Sequence, residues 1–256
     1  MVRIILHGCN GRMGQAVTRF GLEDPEIEIV AGVDVTGEQK SSYPVFKQIG
    51  DCDVEADAVV DFSSAKAVDG LLDYCGEKRL PVVLCTTGMS EQQLERVVRI
   101  SKETAVLKSA NMSLGVNTIM KLAQAAAKVL AEAGYDMEIV ERHHNQKLDA
   151  PSGTAIALAD AINETMGGQY HYQYDRSAIR AKRDPKEIGI QAVRGGSIVG
   201  DHQVLFCGPD EVVEIRHTAY SRSIFAKGAL QAAKFLKGKT DGYYTMSDVI
   251  EGCDKR

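Results

Sequence analysis

Short apolar runs alternate with helix-like stretches along the first part of the chain, and this alternation limits the possible folds more than any other feature. The runs are Ile4-Ile5-Leu6, Ile27 to Val33, Ala58 to Val60, Val82 to Leu84 and Ala105 to Leu107. Residues 64–78 and 90–102 lie between the later runs, with polar starts and helical periodicity. Because strands that are apolar throughout are buried on both faces, the pattern predicts a parallel, doubly wound sheet.

The sequence pattern changes near Ser113. Residues 116–133 are rich in Ala and Leu and are predicted to form a helix. Four later runs alternate apolar with polar residues, as half-exposed strands do: residues 137–141, 189–193, 203–206 and 212–219. Within residues 187–206 we expect two strands joined by a glycine-rich turn. A helix at residues 224–236 is expected to close the chain.

Charge and hydropathy argue against two classes of partner. The 256 residues carry a net charge of −5, so nucleic-acid binding has little electrostatic support. No apolar run approaches the ~20 residues that a membrane span needs, so no membrane partner is expected. The opening MVRIILHGCNG is predicted to be a first strand that runs into a turn, and not a signal peptide.

The cysteines are scattered, with no CxxC pair and no zinc-finger spacing. Some lie inside apolar runs, such as PVVLC and VLFC, which is typical of buried, reduced thiols. We therefore expect a cytoplasmic protein without a disulfide framework. The cysteines in question are Cys9, Cys52, Cys75, Cys85, Cys207 and Cys253.

A glycine-rich loop follows the first predicted strand. Gly8, Cys9, Asn10, Gly11, Arg12, Met13 and Gly14 form a GxxGxxG pattern between a strand and a predicted helix. Glycines there allow a tight turn and a close approach to a pyrophosphate, which also meets the positive end of the helix. Asp34 follows the second strand, where a carboxylate accepts hydrogen bonds from the adenosine ribose of a dinucleotide. The alternative is a structural turn with an incidental Asp.

Two further strand ends fit the same plan. The fourth and fifth apolar runs lead into Cys85-Thr86-Thr87-Gly88 and into Ser109-Ala110-Asn111-Met112. Since ligands of open α/β sheets bind at the carboxyl ends of strands, these loops are predicted to line a cofactor crevice. Taken alone, each could be an ordinary loop.

Residues 141–155 are the most informative segment. They follow a predicted strand, open a predicted helix and contain His143, His144 and Lys147. A histidine exchanges a proton near neutral pH, and a lysine is a compact cation for a carboxylate. Ser152-Gly153-Thr154 at the helix start presents hydroxyl and backbone N–H groups to a second anionic group. The segment predicts a small acidic substrate, a dicarboxylate.

Other interpretations of this segment stay open at this point. A histidine pair beside a lysine is often a solvated loop, and Ser-Gly-Thr is often only a helix cap. Adjacent histidines without i, i+4 spacing or a cysteine cluster are poor zinc ligands, so no metal site is expected.

Two domains follow from these patterns. Residues 1–113 together with residues 223–256 are predicted to form a Rossmann-like, dinucleotide-binding α/β domain. Residues 114–222 are predicted to form an α+β domain with a mixed, open sheet, which binds the substrate and mediates oligomerisation. Hinges near Ser113 and Arg222 would allow the domains to close over both ligands.

Seven motifs, in order, resemble those of the 4-hydroxy-tetrahydrodipicolinate reductase (dihydrodipicolinate reductase) family. The resemblance covers nearly the whole chain, and HHxxKxDAPSGTA is its most specific part. It implies reduction of 4-hydroxy-tetrahydrodipicolinate to tetrahydrodipicolinate with NADH or NADPH, in diaminopimelate and lysine biosynthesis. The motifs are GCNGRMG, DFSS, CTTG, SANMSLGVN, ERHHNQKLDAPSGTA, IGIQAVRGGSIVGDH and SRSIFAKGAL.

The resemblance also implies a role for each site residue. His143 would be the proton donor and acceptor, and Lys147 the second donor. His144, Gly153 and Thr154 would bind the substrate carboxylates. The cofactor residues would be Gly8, Cys9, Asn10, Gly11, Arg12 and Met13 at the pyrophosphate, Asp34 at the ribose, and Cys85, Thr86, Thr87, Ser109, Ala110, Asn111 and Met112 at the nicotinamide.

Some details depart from the family or remain open. Cys85 stands where many members have glycine, and Met112 where an aromatic residue is frequent, and both positions belong to the implied nicotinamide contacts. The family is commonly a homotetramer that associates through the sheets of its second domain. Rival functions are a non-catalytic dinucleotide-binding module and a related reductase acting on another acidic substrate.

The predicted cofactor preference comes from the end of the second strand. Asp34 would repel the ~2 negative charges of the NADPH 2′-phosphate, and Val35 offers no cation to offset them. Arg12 and Lys40 could still reach the phosphate. We therefore expect NADH to be preferred and NADPH still to be used.

Overall fold

The structure is a computed structural model of the protein, and it describes residues 1–253. The chain forms two compact units. Met1–Leu114 and the residues from Ser223 onward make up the first, and Gly115–Arg222 make up the second. The side chain of Cys253 and the end of the predicted range 223–256 lie outside the described residues.

Strands and helices alternate through the first part of the chain, and strands dominate the second. The strands are β1 (Val2–His7), β2 (Ile27–Val33), β3 (Val45–Phe46), β4 (Ala58–Asp61), β5 (Val82–Leu84), β6 (Val106–Leu107), β7 (Asp136–His143), β8 (His171–Gln173), β9 (Glu187–Arg194), β10 (Gly200–Cys207), β11 (Val212–Ala219) and β12 (Tyr243–Tyr244). The helices are α1 (Arg12–Glu23), α2 (Val68–Lys78), α3 (Glu91–Ile100), α4 (Leu114–Leu130), α5 (Gly153–Thr165), α6 (Ser223–Leu236) and α7 (Met246–Cys253).

The first unit contains a parallel sheet in the order β12-β6-β5-β4-β1-β2-β3. Its described strand pairs are all parallel. Helices α1, α6 and α7 pack on one face, where Ile4 and Val60 are buried, and α2 and α3 pack on the other, with Ile5 and Val59. The central strands carry uninterrupted apolar runs, such as Ile4-Ile5-Leu6 in β1, because both faces of the sheet are covered there. The predicted Rossmann-like, doubly wound architecture is confirmed.

The second unit contains a mixed sheet in the order β11-β10-β7-β9-β8. Strand β7 pairs with β9 in parallel and with β10 in antiparallel orientation. Helices α4 and α5 pack on the face that carries Ile139, Ile190 and Val204. This face forms the hydrophobic core of the unit, and the mixed sheet confirms the predicted α+β class.

The two strands and the glycine-rich turn expected within residues 187–206 are present, but the strands do not form a hairpin. Strands β9 and β10 do not pair with each other, because β7 lies between them. The turn that joins them crosses the end of β7, where the Gly195 N–H donates to the His143 carbonyl over 2.9 Å. A glycine-rich turn looks the same in the sequence whether the two strands it joins pair with each other or are separated by a third strand.

The helix at residues 224–236 does not close the chain, contrary to the prediction. Strand β12 follows it and adds to the edge of the first sheet beside β6. Helix α7 comes next, and its Met246 and Val249 are buried in the core of the first unit. Strands β3 and β12 have two residues each and, unlike β6, lie outside the five apolar runs of the sequence. No helix of residues 1–253 is long and apolar enough to cross a membrane.

Candidate active site

The glycine loop is shaped by two positions that only glycine can occupy. Gly8 has a φ of +79°, and a Cβ there would lie 2.6 Å from the Phe62 carbonyl oxygen. A Cβ on Gly14 would lie 2.2 Å from the Gly8 carbonyl oxygen. The glycines let the first turn of α1 pack directly on the loop that follows β1. Gly11 closes the turn by donating its N–H to the Gly8 carbonyl over 3.1 Å.

The start of α1 suits an anion. Gly11 is the N-cap, it offers no side-chain cap, and the first turn contains no acidic residue. The first N–H groups of a helix have no acceptor within the helix, so those of Arg12 and Met13 can meet a phosphate. Arg12 is exposed. The side chain of Cys9 is fully buried, so this residue faces a ligand only through its backbone.

Asp34 lies beside this loop, at the end of β2. Its Oδ2 accepts the Asn10 backbone N–H over 3.2 Å, and its Oδ1 accepts the Thr36 N–H over 3.1 Å. The Asn10 side chain donates to Thr36 Oγ1 and to the Glu38 carbonyl over 3.0 and 2.9 Å. These bonds hold the turn after β2 against the glycine loop. A glycine-rich loop, a helix N-terminus without a side-chain cap and a carboxylate together fit the binding of a dinucleotide.

The ends of β5 and β6 lie at the same edge of the parallel sheet. Cys85 is half-buried, Thr86 is buried and Thr87 is exposed. Burial raises the pKa of the Cys85 thiol, and the nearby Asp61 raises it further. The thiol is therefore a neutral lining group and not a nucleophile.

Residues 109–112 follow β6. Ser109 and Asn111 are half-buried and Ala110 is exposed. The Met112 side chain is only 5% exposed and belongs to the core of the first unit. The Met112 carbonyl oxygen would lie only 1.7 Å from a Cβ on Gly228, so this oxygen packs directly against the glycine of α6. A cofactor contact by Met112 would therefore have to come from its backbone.

His143 is the last residue of β7 in the second unit, and it is buried. Its Nδ1 lies 2.6 Å from Glu141 Oε2. Alternate residues of a strand share a face, which places the two side chains together. Arg194 donates to both oxygens of Glu141, over 2.8 and 2.7 Å, and the Ser152 N–H donates to Oε1 over 3.0 Å.

Glu141 is a carboxylate in this setting. Burial alone would raise its pKa, but hydrogen bonds from His143, Arg194 and Ser152 outweigh burial and lower the pKa to about 2. Because the carboxylate can only accept hydrogen bonds, Nδ1 of His143 carries a proton. The other ring nitrogen, Nε2, is left for proton exchange.

His202 packs against His143 and belongs to the same cluster. The ring centroids are 5.1 Å apart in an edge-to-face arrangement. Burial, and then repulsion by the charged form of His143, lower the pKa of His202 to about 4, so its ring is neutral near pH 7. His202 Nε2 lies 3.0 Å from Ser152 Oγ, which caps α5 by accepting the Ala155 N–H over 3.2 Å.

The remaining predicted substrate residues lie between His143 and the first turn of α5. Lys147 Nζ lies 2.8 Å from Asp149 Oδ1, and His144 Nε2 lies 3.3 Å from an Arg222 nitrogen. Gly153 is exposed, and no atom lies within 4 Å of the position that a Cβ would take. Thr154 is half-buried. The segment therefore gathers one histidine pair, one lysine and one helix start.

Sequence reasoning missed Glu141, Arg194 and His202 as members of this cluster. Glu141 could have been found, because the two-residue period of a strand places it beside His143. Arg194 is 53 residues from Glu141, and His202 is 50 residues from Ser152. Only the sheet order brings these side chains together.

Comparison with known proteins decides the family. The family model described as "Dihydrodipicolinate reductase, N-terminus" matches residues 2–112. The model described as "Dihydrodipicolinate reductase, C-terminus" matches residues 115–250. The chain belongs to the dihydrodipicolinate reductase family. Membership makes it an NAD(P)H-dependent oxidoreductase.

Relatives in this family match along almost their whole length. The 4-hydroxy-tetrahydrodipicolinate reductase of Caldanaerobacter subterraneus subsp. tengcongensis is 49% identical over 251 residues, with 98% of this chain and 99% of that protein covered. The enzyme of the same name from Clostridium tetani is 50% identical over 250 residues, with coverages of 98% and 97%. The dipicolinate-bound dihydrodipicolinate reductase from Paenisporosarcina sp. TG-14 is 26% identical, with a TM-score of 0.80 and coverages of 97% and 99%.

Proposed function

We propose that the chain reduces 4-hydroxy-tetrahydrodipicolinate to tetrahydrodipicolinate, a step in diaminopimelate and lysine biosynthesis. One observation carries the proposal: His143 is held by a buried carboxylate in the same segment as Lys147 and the start of α5. This places a proton-exchanging ring, a cation and a helix N-terminus within one short stretch of chain. A non-catalytic nucleotide-binding module has no use for such a group of residues.

The residues of the chain have separate tasks in this reaction. The 4-hydroxyl of the substrate leaves as water, which gives the unsaturated ring that is reduced, and NADH or NADPH would supply the hydride when it is bound. His143 donates a proton to the substrate through Nε2, since Nδ1 is bonded to Glu141. Lys147 and the N–H groups at the start of α5 hold the two carboxylates of the substrate and offset charge that develops on its ring. His144, Gly153 and Thr154 complete the carboxylate site.

The dicarboxylate character of the substrate has independent support. The solved relative from Paenisporosarcina carries dipicolinate, a planar dicarboxylate. In this chain, Lys147 and the helix start that contains Gly153 and Thr154 are two groups that attract anions. Two carboxylates on one small ring match two such groups. We therefore assign a cyclic dicarboxylate to this segment.

For the cofactor we propose NADH as the preferred form, with NADPH also used. Gly8, Asn10 and the start of α1 would hold the pyrophosphate, and Asp34 the adenosine ribose. Lys40, the nearest lysine after this strand, lies 3.1 Å from Glu38 and is partly neutralised by it. Arg12, which is exposed at the start of α1, remains as a cation for a 2′-phosphate, so we expect NADPH to be used less well than NADH and not excluded.

We also propose a cytoplasmic homotetramer that assembles through the second sheet. Helices α4 and α5 cover one face of this sheet, and the opposite face carries Val140, Gln203 and Leu205. Val193 and Val212 lie on that face as well and are 44% and 57% exposed. A sheet face that no helix of its own unit covers, with exposed valines among its charged side chains, suits association with a second copy. Free thiols at five described cysteines agree with a reducing compartment.

Growth complementation tests the proposed function in cells. A bacterial strain that lacks its own 4-hydroxy-tetrahydrodipicolinate reductase requires added diaminopimelate, and this chain is expected to remove that requirement. A His143→Ala variant, expressed at the same level, is the matched control and is expected not to support growth. Failure of the unaltered chain would favour a reductase for a different acidic substrate or a non-catalytic module.

A further inference from the structure

We infer that Glu141 and Arg194 are positioning residues for His143. In this arrangement Glu141 fixes the orientation and tautomer of the His143 ring, and Arg194 fixes Glu141 and joins it to the loop that carries Lys147. The inference rests on the proposed function, in which His143 exchanges the proton.

Glu141 has four donors around a fully buried carboxylate. Oε2 receives His143 Nδ1 and one Arg194 nitrogen, at 2.6 and 2.8 Å. Oε1 receives the other Arg194 nitrogen and the Ser152 N–H, at 2.7 and 3.0 Å. A carboxylate held on both oxygens cannot rotate without losing a buried hydrogen bond. The His143 imidazole, which is hydrogen-bonded to this carboxylate, is therefore held in one orientation.

Arg194 links this carboxylate to the substrate loop. The guanidinium nitrogen that bonds Glu141 Oε1 also donates to the Asp149 carbonyl over 2.6 Å. The Asp149 side chain, in turn, holds Lys147. The planar guanidinium of Arg194 thus connects Glu141, which holds His143, with Asp149, which pairs with Lys147. Lysine could not reproduce this contact set, because it lacks the rigid fork of donors.

Three charged or titratable groups come close to His143, each from a different strand. Glu141 is on its own strand β7, Arg194 comes from β9, and His202 comes from β10. The Glu141–Arg194 pair is close to neutral overall, and His202 is neutral near pH 7. Removing the Glu141 charge leaves Arg194 unbalanced beside the imidazole. The positively charged form of His143 would then be less favourable.

The alternative is that Glu141 and Arg194 are a buried ion pair with a purely structural role. Both roles predict lower stability when one partner is removed, by the loss of a buried charge pair. Only positioning predicts a change in the His143 tautomer and in the pH dependence of turnover. Those two properties separate the alternatives.

The experiment compares Glu141→Gln with Glu138→Gln. Glu138 is the matched control, because it also lies on β7 and pairs with an arginine, Arg183, but points to the opposite face of the sheet. For Glu141→Gln we expect kcat to fall on the order of 10²-fold and the alkaline limb of its pH profile, where a proton donor becomes deprotonated, to move to lower pH. Affinity for NADH alone should stay within about twofold, since the first unit is unchanged.

Nitrogen NMR of histidine-labelled protein gives a readout besides turnover. The chain has six histidines, and His143→Asn identifies the His143 signals by their loss. The unaltered protein and Glu138→Gln should show the Nδ1–H tautomer at His143, and Glu141→Gln should show a mixture of tautomers. If Glu141→Gln does not fold, two variants that keep the charges replace it. Glu141→Asp shortens the carboxylate side chain, and Arg194→Lys removes the fork of donors. Both should show a mixture of His143 tautomers.

Two outcomes overturn the inference, and a third one separates it from the proposed function. An unchanged tautomer and pH profile in Glu141→Gln, with only a lower melting temperature, would make the pair structural. Full additivity of Glu141→Gln and His143→Asn in kcat would also contradict it, because a residue that acts through His143 has little effect once His143 is absent. If His143→Asn alone retains full turnover, the proposed function of His143 fails instead.

Discussion

Lys147 Nζ lies 2.8 Å from Asp149 Oδ1, so the ammonium group proposed for a substrate carboxylate already has a carboxylate partner in its own loop. The hydrogen bond from Lys147 lowers the pKa of Asp149, which keeps the partner charged near neutral pH. Asp149 is well exposed, with 59% of its side chain accessible. A bound carboxylate therefore has to replace a weak, solvated ion pair and not a buried one.

This ion pair predicts the effect of Asp149→Asn. An exposed pair contributes ~0.2–1 kcal/mol, so removing the competing charge should lower the substrate KM by about 1.4–5-fold. Lys147→Gln is the matched comparison and should raise KM, because the cation itself is lost. Steady-state kinetics with saturating NADH would measure both changes. A raised KM in Asp149→Asn would mean that Asp149 holds the loop in place and does not compete with the substrate.

His143→Ala should reduce kcat by about 10²–10⁴-fold, the usual range for the loss of a general acid. NADH affinity, measured by titration without substrate, should be nearly unchanged. His144→Ala should mainly raise the substrate KM, since His144 is proposed to bind a carboxylate. Full turnover in both variants would show that residues 143–147 take no part in the reaction.

The cofactor prediction depends on Asp34 and its neighbour. The unaltered enzyme should have a higher kcat/KM with NADH than with NADPH. Val35→Arg should move this ratio toward NADPH, chiefly through the NADPH KM, because Val35 is 86% exposed and an arginine there can reach a 2′-phosphate. An unaltered enzyme that favours NADPH by tenfold or more, about 1.4 kcal/mol, would show that Arg12 or Lys40 outweighs Asp34.

His202 predicts acid sensitivity of the second unit. The pKa of His202 is about 4 in the folded protein and 6.5 in the unfolded chain. As pH falls below 6.5, the unfolded chain takes up a proton that the folded protein does not, so the free energy of unfolding decreases until pH 4. Between pH 7 and pH 5 this single group should remove about 2 kcal/mol of stability.

Urea unfolding, followed by circular dichroism at pH 7 and pH 5, tests this prediction. His202→Gln should lose less stability between the two pH values than the unaltered protein. His171→Gln is the control, because His171 is solvent-exposed on β8. Equal losses in His202→Gln and the unaltered protein would show that other groups cause the acid sensitivity.

The proposed assembly predicts a tetramer in solution. Leu205→Glu places a charge in the middle of the sheet face opposite α4 and α5, next to Glu138 on β7. This change should dissociate the tetramer and leave the secondary structure unchanged. Light scattering would measure both proteins at micromolar concentration. A stable monomer for the unaltered chain would contradict the assembly directly.

The fold was predictable where the sequence pattern has one physical cause. Strands β1 and β4 contain the apolar runs Ile4 to Leu6 and Ala58 to Val60 because both faces of the sheet are covered there, and such runs are visible in the sequence. The order of the second sheet was not predictable, because a glycine-rich turn does not reveal that β7 lies between β9 and β10. Strands β3 and β12 have two residues each, fewer than any periodic pattern requires.

The candidate site was predictable to the extent that its residues are contiguous. His143, Lys147 and Gly153 belong to one segment with a recognisable set of functional groups. Arg194 and His202 come from other strands, and their sequence positions give no sign that they meet His143. Sequence also suggested that Met112 faces the nicotinamide, whereas its side chain is in the core of the first unit.

The most direct test of the proposed function is turnover of purified protein with freshly generated 4-hydroxy-tetrahydrodipicolinate. The oxidation of NADH is followed by absorbance, and the product is identified by mass spectrometry. We expect one NADH to be consumed for each tetrahydrodipicolinate formed, at a rate that His143→Ala reduces by about 10²-fold or more. NADH that binds but is not oxidised in the presence of this substrate would contradict it.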